Sequence, residues 1–137
     1  MTNTIKKETI NYAAAMKIVD AAIKKAKALG CKQNVAVVDD GGRLVAFARM
    51  DGAPIIGIDG CQKKAFTALF GVGTHHLFDM IKDDPSVVHG LSHFPNATLI
   101  GGGMPIVIND QVVGGVGVGG GMVDEDIACA QAGIDAL

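Results

Sequence analysis

Residues 101–121 form two apolar segments that are edged with glycine and joined by an Asn-Asp turn. Short runs of valine and isoleucine are typical of β-strands, so the pattern predicts a pair of strands. Glycine within a strand indicates that another group approaches the backbone closely. We therefore expect a ligand, another strand or another subunit to lie against this segment.

Helical spacing of apolar residues predicts helices in four further places. They are residues 10–29, 58–70, 74–81 and 123–136. Alternating apolar residues predict strands at 34–40 and 43–50. Because Pro95 limits helix formation, the stretch 87–96 is expected to be irregular or a single helical turn, after a loop at 83–86. The order α-β-β-α-α-β-β-α implies an α+β fold, a central antiparallel sheet with flanking helices, in one domain spanning residues 1–137.

Local signals add detail to this scheme. Thr9 and Thr74 are expected to be N-caps, and Gly41-Gly42 is expected to form a two-residue hairpin turn. Alternation along the second strand places one set of residues on a single face of the sheet. That set is Leu44, Ala46, Ala48 and Met50.

Composition excludes several classes of protein. The net charge is −2, tryptophan is absent and basic residues do not cluster, so a nucleic-acid partner is not expected. No apolar run reaches the length of a membrane span, and the polar N-terminus has no signal-peptide pattern, so we expect a cytoplasmic protein with no membrane partner.

The cysteines Cys31, Cys61 and Cys129 form no CxxC pair, which favours structural thiols. A mean hydropathy of +0.34 fits either a subunit interface or a core rich in small residues.

The histidines offer two candidate sites. His75 and His76 open the third helix after a glycine break, where a histidine is more often a solvated or capping side chain. One imidazole in an apolar pocket is nevertheless sufficient for an axial haem ligand. His89 and His93 have the spacing of two metal ligands on one helix face. No glutamate lies between them and Pro95 disfavours a helix, so two exposed loop histidines are the preferred interpretation.

Three other motifs bear on function. Arg49, at a strand end, has the geometry to clamp a carboxylate, although an internal pairing with Asp51 or Asp40 is slightly preferred. Residues 115–120 match GxGxxG, but no βαβ unit follows and three acids open the next helix, which disfavours a nucleotide site. No GxSxG motif or cysteine-base pair is present, so nucleophilic catalysis is not indicated.

Four segments, in this order and spacing, resemble the GlcG/HbpS family, which includes the C-terminal domain of PduO-type proteins. They are VAVVDDGG at 35–42, RMDGA at 49–53, GGMPI at 102–106 and VGGVGV at 113–118. The segment GTH at 73–75 looks most similar to the PduO branch. The resemblance covers nearly the whole chain.

This resemblance implies a profilin-like α+β fold and homo-oligomers of up to eight subunits. It implies binding of haem or a related tetrapyrrole in some members, several of which lie among genes of glycolate, diol or glycerol metabolism. It makes His75 a candidate iron ligand, with the adjacent His76 as the alternative.

The sequence thus favours a homo-oligomer that binds haem or a corrinoid over an enzyme. In this hypothesis His75 ligates the metal, glycines let the macrocycle approach the backbone, and Arg49 meets a propionate. The expected binding residues are His75, Arg49, Asp51, Gly102, Gly103, Met104 and Pro105. One alternative is an enzyme or sensor for a small hydroxy acid or aldehyde, with Arg49 on the carboxylate and His75 or His76 as base. Another is a structural accessory protein without a small-molecule ligand.

Overall fold

The computed structural model describes residues 2–137, which form five α-helices and four strands. The strands are β1 Asn34–Asp39, β2 Leu44–Arg49, β3 Gly103–Ile108 and β4 Gln111–Gly119. They form one antiparallel sheet in the order β2-β1-β4-β3. The helices are α1 Tyr12–Leu29, α2 Ile56–Thr67, α3 Thr74–Ile81, α4 Pro85–Leu91 and α5 Val123–Asp135, with a 3-10 turn at Ala68–Phe70. The predicted α+β fold with a central antiparallel sheet is confirmed.

The two faces of the sheet are covered by different helices. Helices α1 and α5 pack on one face and α2 packs on the other. The central strands β1 and β4 are therefore almost fully buried, and their valines form the main core with the apolar side of α1. The largest of these buried side chains are Ile18, Val19, Val35, Val37, Val116 and Val118.

The glycines of β4 allow α2 to lie directly on the sheet. A Cβ atom on Gly117 would collide with the carbonyl oxygen of Cys61, and one on Gly115 would collide with that of Ala65. The close approach predicted for residues 101–121 therefore exists, but the approaching element is a helix of the same chain. The expectation that these glycines admit a macrocycle to the backbone is wrong for β4, because α2 already fills that space.

One of the two hairpin turns forms as the sequence predicts, and the other does not. Asn109 and Asp110 have φ values of 51° and 63°, the left-handed conformation of a two-residue hairpin turn, as predicted. The first hairpin has a three-residue turn in which Gly42 has φ 83° and donates to the Asp39 carbonyl at 3.0 Å, so the two-residue prediction is wrong. The resulting bulge pairs Leu44 with Val38 and places it near Phe66 of α2, away from Ala46.

Several predicted helix boundaries are also corrected. Helix α1 is capped by Asn11, whose Oδ1 accepts from Ala14 N at 2.8 Å, whereas Thr9 donates to the carbonyl of Val113. Helix α4 replaces the expected loop and irregular stretch because Asp84 caps it and Pro85 occupies its first turn. Among the described residues, no helix is both long and apolar enough to cross a membrane.

Candidate functional site

His75 is held in place by its neighbour in the chain. Thr74 is buried at the start of α3, and its hydroxyl donates to the Ile100 carbonyl at 2.8 Å and accepts from Gly103 N at 3.0 Å. Gly73, not Thr74, occupies the cap position, which corrects the predicted role of the threonine. The threonine instead ties the start of α3 to the segment before β3 and thereby fixes the backbone that carries His75.

Exposed apolar residues lie near His75 in the fold. A Cβ atom on Gly101 would lie 3.2 Å from His75 Cβ and 2.8 Å from Val123 Cγ1, so the histidine sits beside the start of α5. Ile100 and Met122, which adjoin these residues in the chain, are 57% and 74% exposed. We call His75, Ile100, Gly101, Met122 and Val123 the His75 patch.

The imidazole of His75 is poised to stay neutral. Burial is the main cause that lowers its pKa from the usual 6.5, the neighbouring His76 adds to this, and Asp79 opposes it. The rings of His75 and His76 lie 4.0 Å apart between centroids, and His76 is exposed. Nδ1 of His75 is buried without a hydrogen-bond partner. A neutral ring with unused bonding capacity is the form of histidine that ligates a metal.

Four other predicted binding residues, Gly102, Gly103, Met104 and Pro105, lie on this side of the fold and are buried or partly buried. A Cβ atom on Gly102 would lie 3.1 Å from Lys64 Nζ, and one on Gly103 would collide with the Lys64 carbonyl. Both glycines are buried, whereas Met104 and Pro105 are partly buried on the edge strand β3. Their contact with a ligand remains a prediction, but the packing of α2 and α5 explains the two glycines without one.

A buried polar network that the sequence did not reveal supports this segment. Lys64 Nζ donates to Asp126 Oδ2 and to the Val118 carbonyl, both at 2.8 Å. Asp126 Oδ1 accepts from Gln33 Nε2 at 2.9 Å and from Gly121 N at 3.1 Å. The only sequence signal is a lysine on the buried side of a helix, since an acid such as Asp126 is common in the first turn of a helix without any buried partner.

Arg49 and Asp51 lie in a different recess. They line a space of about 370 Å³ together with Lys27 and Lys32, and His75 is not among its lining residues. Because β2 and β3 are opposite edges of the sheet, Arg49 and Gly103 are separated by three strand spacings, roughly 14 Å. One chain therefore does not bring Arg49 and His75 into a single pocket. Among the described residues Arg49 forms no ion pair, and Asp40 pairs instead with Lys7 at 2.9 Å.

An apolar groove of about 520 Å³ lies on the other side of α3. Leu77 and Ile81 contribute to it from α3, and His75 does not, since residues two positions apart on a helix point in different directions. The other lining residues come from the end of α2, the 3-10 turn, α4 and the segment after it, namely Phe66, Thr67, Leu69, Phe70, Val87, Leu91, Phe94 and Ala97. The sequence did not predict this groove because it did not predict α4.

The other candidate chemistries find no support in the structure. His89 and His93 are exposed, as the preferred interpretation expected. Across residues 2–137, no three His, Cys, Asp or Glu side chains are grouped to hold a metal ion. Burial raises the pKa of Cys61 to about 12, and its Sγ donates to the Ile58 carbonyl, so this thiol is structural.

Comparison with known proteins identifies the family. The family model described as haem degrading protein HbpS-like matches residues 10–135. An uncharacterized 15.0 kDa protein from the dhaT-dhaS intergenic region of Citrobacter freundii is 35% identical over 130 residues, which are 93% of this chain and 91% of that protein.

Two crystal structures extend the similarity to the fold. Klebsiella pneumoniae protein ORFY is 33% identical, with a TM-score of 0.92 over 99% of this chain and 95% of its own. The PduOC:heme complex is 27% identical, with a TM-score of 0.87 over 94% of this chain and 95% of its own. The family match spans every element from α1 to α5, so the chain belongs to the HbpS-like family.

Proposed function

We propose that this protein binds haem and that the His75 patch is the site, with the His75 imidazole as an iron ligand. Bound haem would supply a redox-active iron centre. The chain itself supplies a neutral imidazole and an apolar surface formed by Ile100, Met122 and Val123. The PduOC relative was crystallised as a haem complex, which supports the same ligand class for this chain.

One observation carries this proposal: Nδ1 of His75 is buried and has no hydrogen-bond partner. Because Nδ1 is covered by the chain, Nε2 is the ring nitrogen that remains for a ligand. Iron bound at Nε2 would fix the orientation of the ring from outside the chain. The residues present therefore fit a tetrapyrrole whose iron would be held by His75.

Exposed apolar side chains support a homo-oligomer, which the family resemblance extends to an octamer. Ile55 and Ile56, at the start of α2, are 77% and 84% exposed, and Met122 of the His75 patch is 74% exposed. Such side chains commonly mark subunit interfaces. Because Arg49 lies apart from His75 within one chain, its predicted contact with a haem propionate would require a second subunit. Light scattering measures the subunit number.

Family members that lie among genes of glycolate, diol or glycerol metabolism support an accessory role beside such enzymes. A corrinoid is a second macrocycle that the same patch would accommodate. Parallel titrations with haemin and with a cobalamin distinguish the two cofactors.

A haemin titration tests the proposal directly. We expect the wild-type protein to shift the Soret band of haemin at one equivalent per binding site. His75→Ala should weaken binding at least tenfold, while His89→Ala, which removes an exposed imidazole of α4, should leave it unchanged. His76→Ala reports whether the adjacent ring is the true ligand. An unchanged Soret band with wild-type protein, or equal spectra for wild type and His75→Ala, would reject the assignment.

The hydroxy-acid alternative keeps one specific observation in its favour. Lys27, Lys32 and Arg49 surround the 370 Å³ recess with only Asp51 opposing them, which suits a small carboxylate. His75 lies outside this recess, so a base for catalysis would have to come from another subunit. A thermal-shift screen separates the two functions, because stabilisation by glycolate-like acids but not by haemin would favour the carboxylate.

A further inference from the structure

Two of the three cysteines meet where α1 ends against α5. Cys31 follows Gly30, which terminates α1 in the left-handed conformation, and Cys129 lies in the middle of α5. The two helices pack along each other, and after burial the Cys31 side chain is the next cause that raises the pKa of Cys129, so the two thiols are neighbours. The pair joins positions far apart in the sequence, so only the fold brings it together.

A second set of contacts places Cys31 on the same side of α5. Gln33 Nε2 lies 3.5 Å from Cys31 Sγ and 2.9 Å from Asp126 Oδ1. Asp126 precedes Cys129 by three residues, so the two side chains occupy one face of the helix. The glutamine therefore positions the Cys31 sulfur above the turn of α5 that carries Cys129.

The two thiols differ in access. Cys31 is partly exposed, whereas Cys129 is fully buried. Burial is the main cause that raises the pKa of Cys129 to about 12, so this thiol keeps its proton. The pair thus places the more exposed cysteine beside a second thiol, the neighbour that a sulfenic acid needs to condense to a disulfide.

We propose that Cys31 and Cys129 form a reversible intramolecular disulfide when the protein meets hydrogen peroxide. Peroxide transfers one oxygen atom to the Cys31 sulfur, which becomes a sulfenic acid while the peroxide is reduced to water. The Cys129 sulfur then attacks the Cys31 sulfur, and the sulfenic hydroxyl leaves with the Cys129 proton as a second water. Two thiols and one peroxide therefore yield one disulfide and two waters, and a dithiol reductant reverses the step.

The bond would connect α1 to α5 and close the chain between residues 31 and 129. Such a link restricts the unfolded chain, so the oxidised protein should melt at a higher temperature than the reduced protein. Cys61 provides an internal control because it is buried in α2 and is not in contact with either thiol of the pair in the described residues.

Peptide mass spectrometry after peroxide treatment tests the proposal. The protein is treated with peroxide, quenched, denatured and alkylated, with untreated protein as reference. We expect one linked peptide pair containing Cys31 and Cys129, a loss of two hydrogens from the intact chain, and one remaining alkylated cysteine, Cys61. Treatment with dithiothreitol should restore three alkylated cysteines.

Two variants complete the test. Cys31→Ser should abolish the linked peptide and the rise in melting temperature, whereas Cys61→Ala should retain both. Overoxidation of Cys31 to a sulfinic acid without a linked peptide would overturn the proposal. So would a disulfide between two chains or one that includes Cys61. These readouts need no cofactor, so they are independent of haem binding.

Discussion

Lys64 of α2 and Asp126 of α5 form an ion pair of 2.8 Å across the end of β4, with side chains only 6% and 2% exposed. Both charges have further partners, the Val118 carbonyl for the lysine and Gln33 for the aspartate. Helices on opposite faces of the sheet are thus joined by one satisfied polar network. The network also lies against Gly102, which connects it to the segment beside His75.

Removing the lysine should destabilise the fold severely. Lys64→Met leaves the Asp126 carboxylate buried without its counter-ion, which typically costs about 3–5 kcal/mol. The neighbouring Lys63 forms an exposed ion pair with Asp59 at 2.9 Å, and Lys63→Met should cost at most about 0.5 kcal/mol. Urea unfolding of both variants measures the free energies of unfolding. Equal losses for the two lysines would contradict the role assigned to the buried pair.

The glycines of β4 should tolerate substitution very differently from a helical glycine. Gly117→Ala places a methyl group on the Cys61 carbonyl, which forces α2 away from the sheet and should cost at least about 2 kcal/mol. A Cβ atom on Gly60, in α2, would meet nothing within 4 Å, so Gly60→Ala should stabilise the helix by about 0.5–1 kcal/mol. Thermal unfolding compares the two. A tolerated Gly117→Ala would mean that α2 does not pack as described.

The sequence was informative wherever local chemistry decided the structure. Val and Ile runs defined the strands, and Asn109-Asp110 marked a turn that needs two left-handed residues. It was less informative where a distant group decided the outcome. No feature of the neighbouring sequence distinguishes a glycine that makes room for a ligand from Gly117, which makes room for a helix. The difference depends on where α2 packs.

The candidate site likewise contains one residue that local sequence predicts and one whose position depends on distant pairing. His75 is predicted from its position after a glycine break, and the structure places it beside Gly101 and the apolar start of α5. Arg49 was grouped with it because both belong to one family pattern, but strand order places Arg49 at the opposite edge of the sheet. The order β2-β1-β4-β3 depends on long-range pairing, which no local sequence signal encodes.

Thr74 should position His75 rather than contact the ligand. Thr74→Val removes the hydroxyl that serves both the Ile100 carbonyl and Gly103 N, leaving a part-buried and a buried backbone group without this partner at a cost of about 1–3 kcal/mol. Thr74→Ser keeps the hydroxyl and should retain most of the stability. We expect haemin affinity to fall in Thr74→Val and to recover in Thr74→Ser. Unchanged affinity in a folded Thr74→Val protein would show that the contact does not position the histidine.

The pKa of His75 predicts how stability and haem binding respond to acid. Burial lowers this pKa below 6.5, so in the window between the folded pKa and 6.5 the unfolded chain binds the proton and the folded chain does not. The contribution of His75 to stability is therefore complete above pH 6.5 and declines as the pH falls below it. His75→Ala should lose that part of the pH dependence, measured as the free energy of unfolding between pH 5 and 8.

Haem binding should depend on the protonation state of His75 in the same way. Because only the neutral imidazole ligates iron, and its pKa is lowered, the Soret band of the complex should persist on acidification to a midpoint below pH 6.5. Asp79→Asn removes the carboxylate that favours the imidazolium and should move the midpoint still lower. Asp83→Asn, a control change at an exposed position beyond α3, should leave it in place. A midpoint at or above 6.5 would contradict the assignment of His75 as the iron ligand, since burial lowers the pKa of this ring.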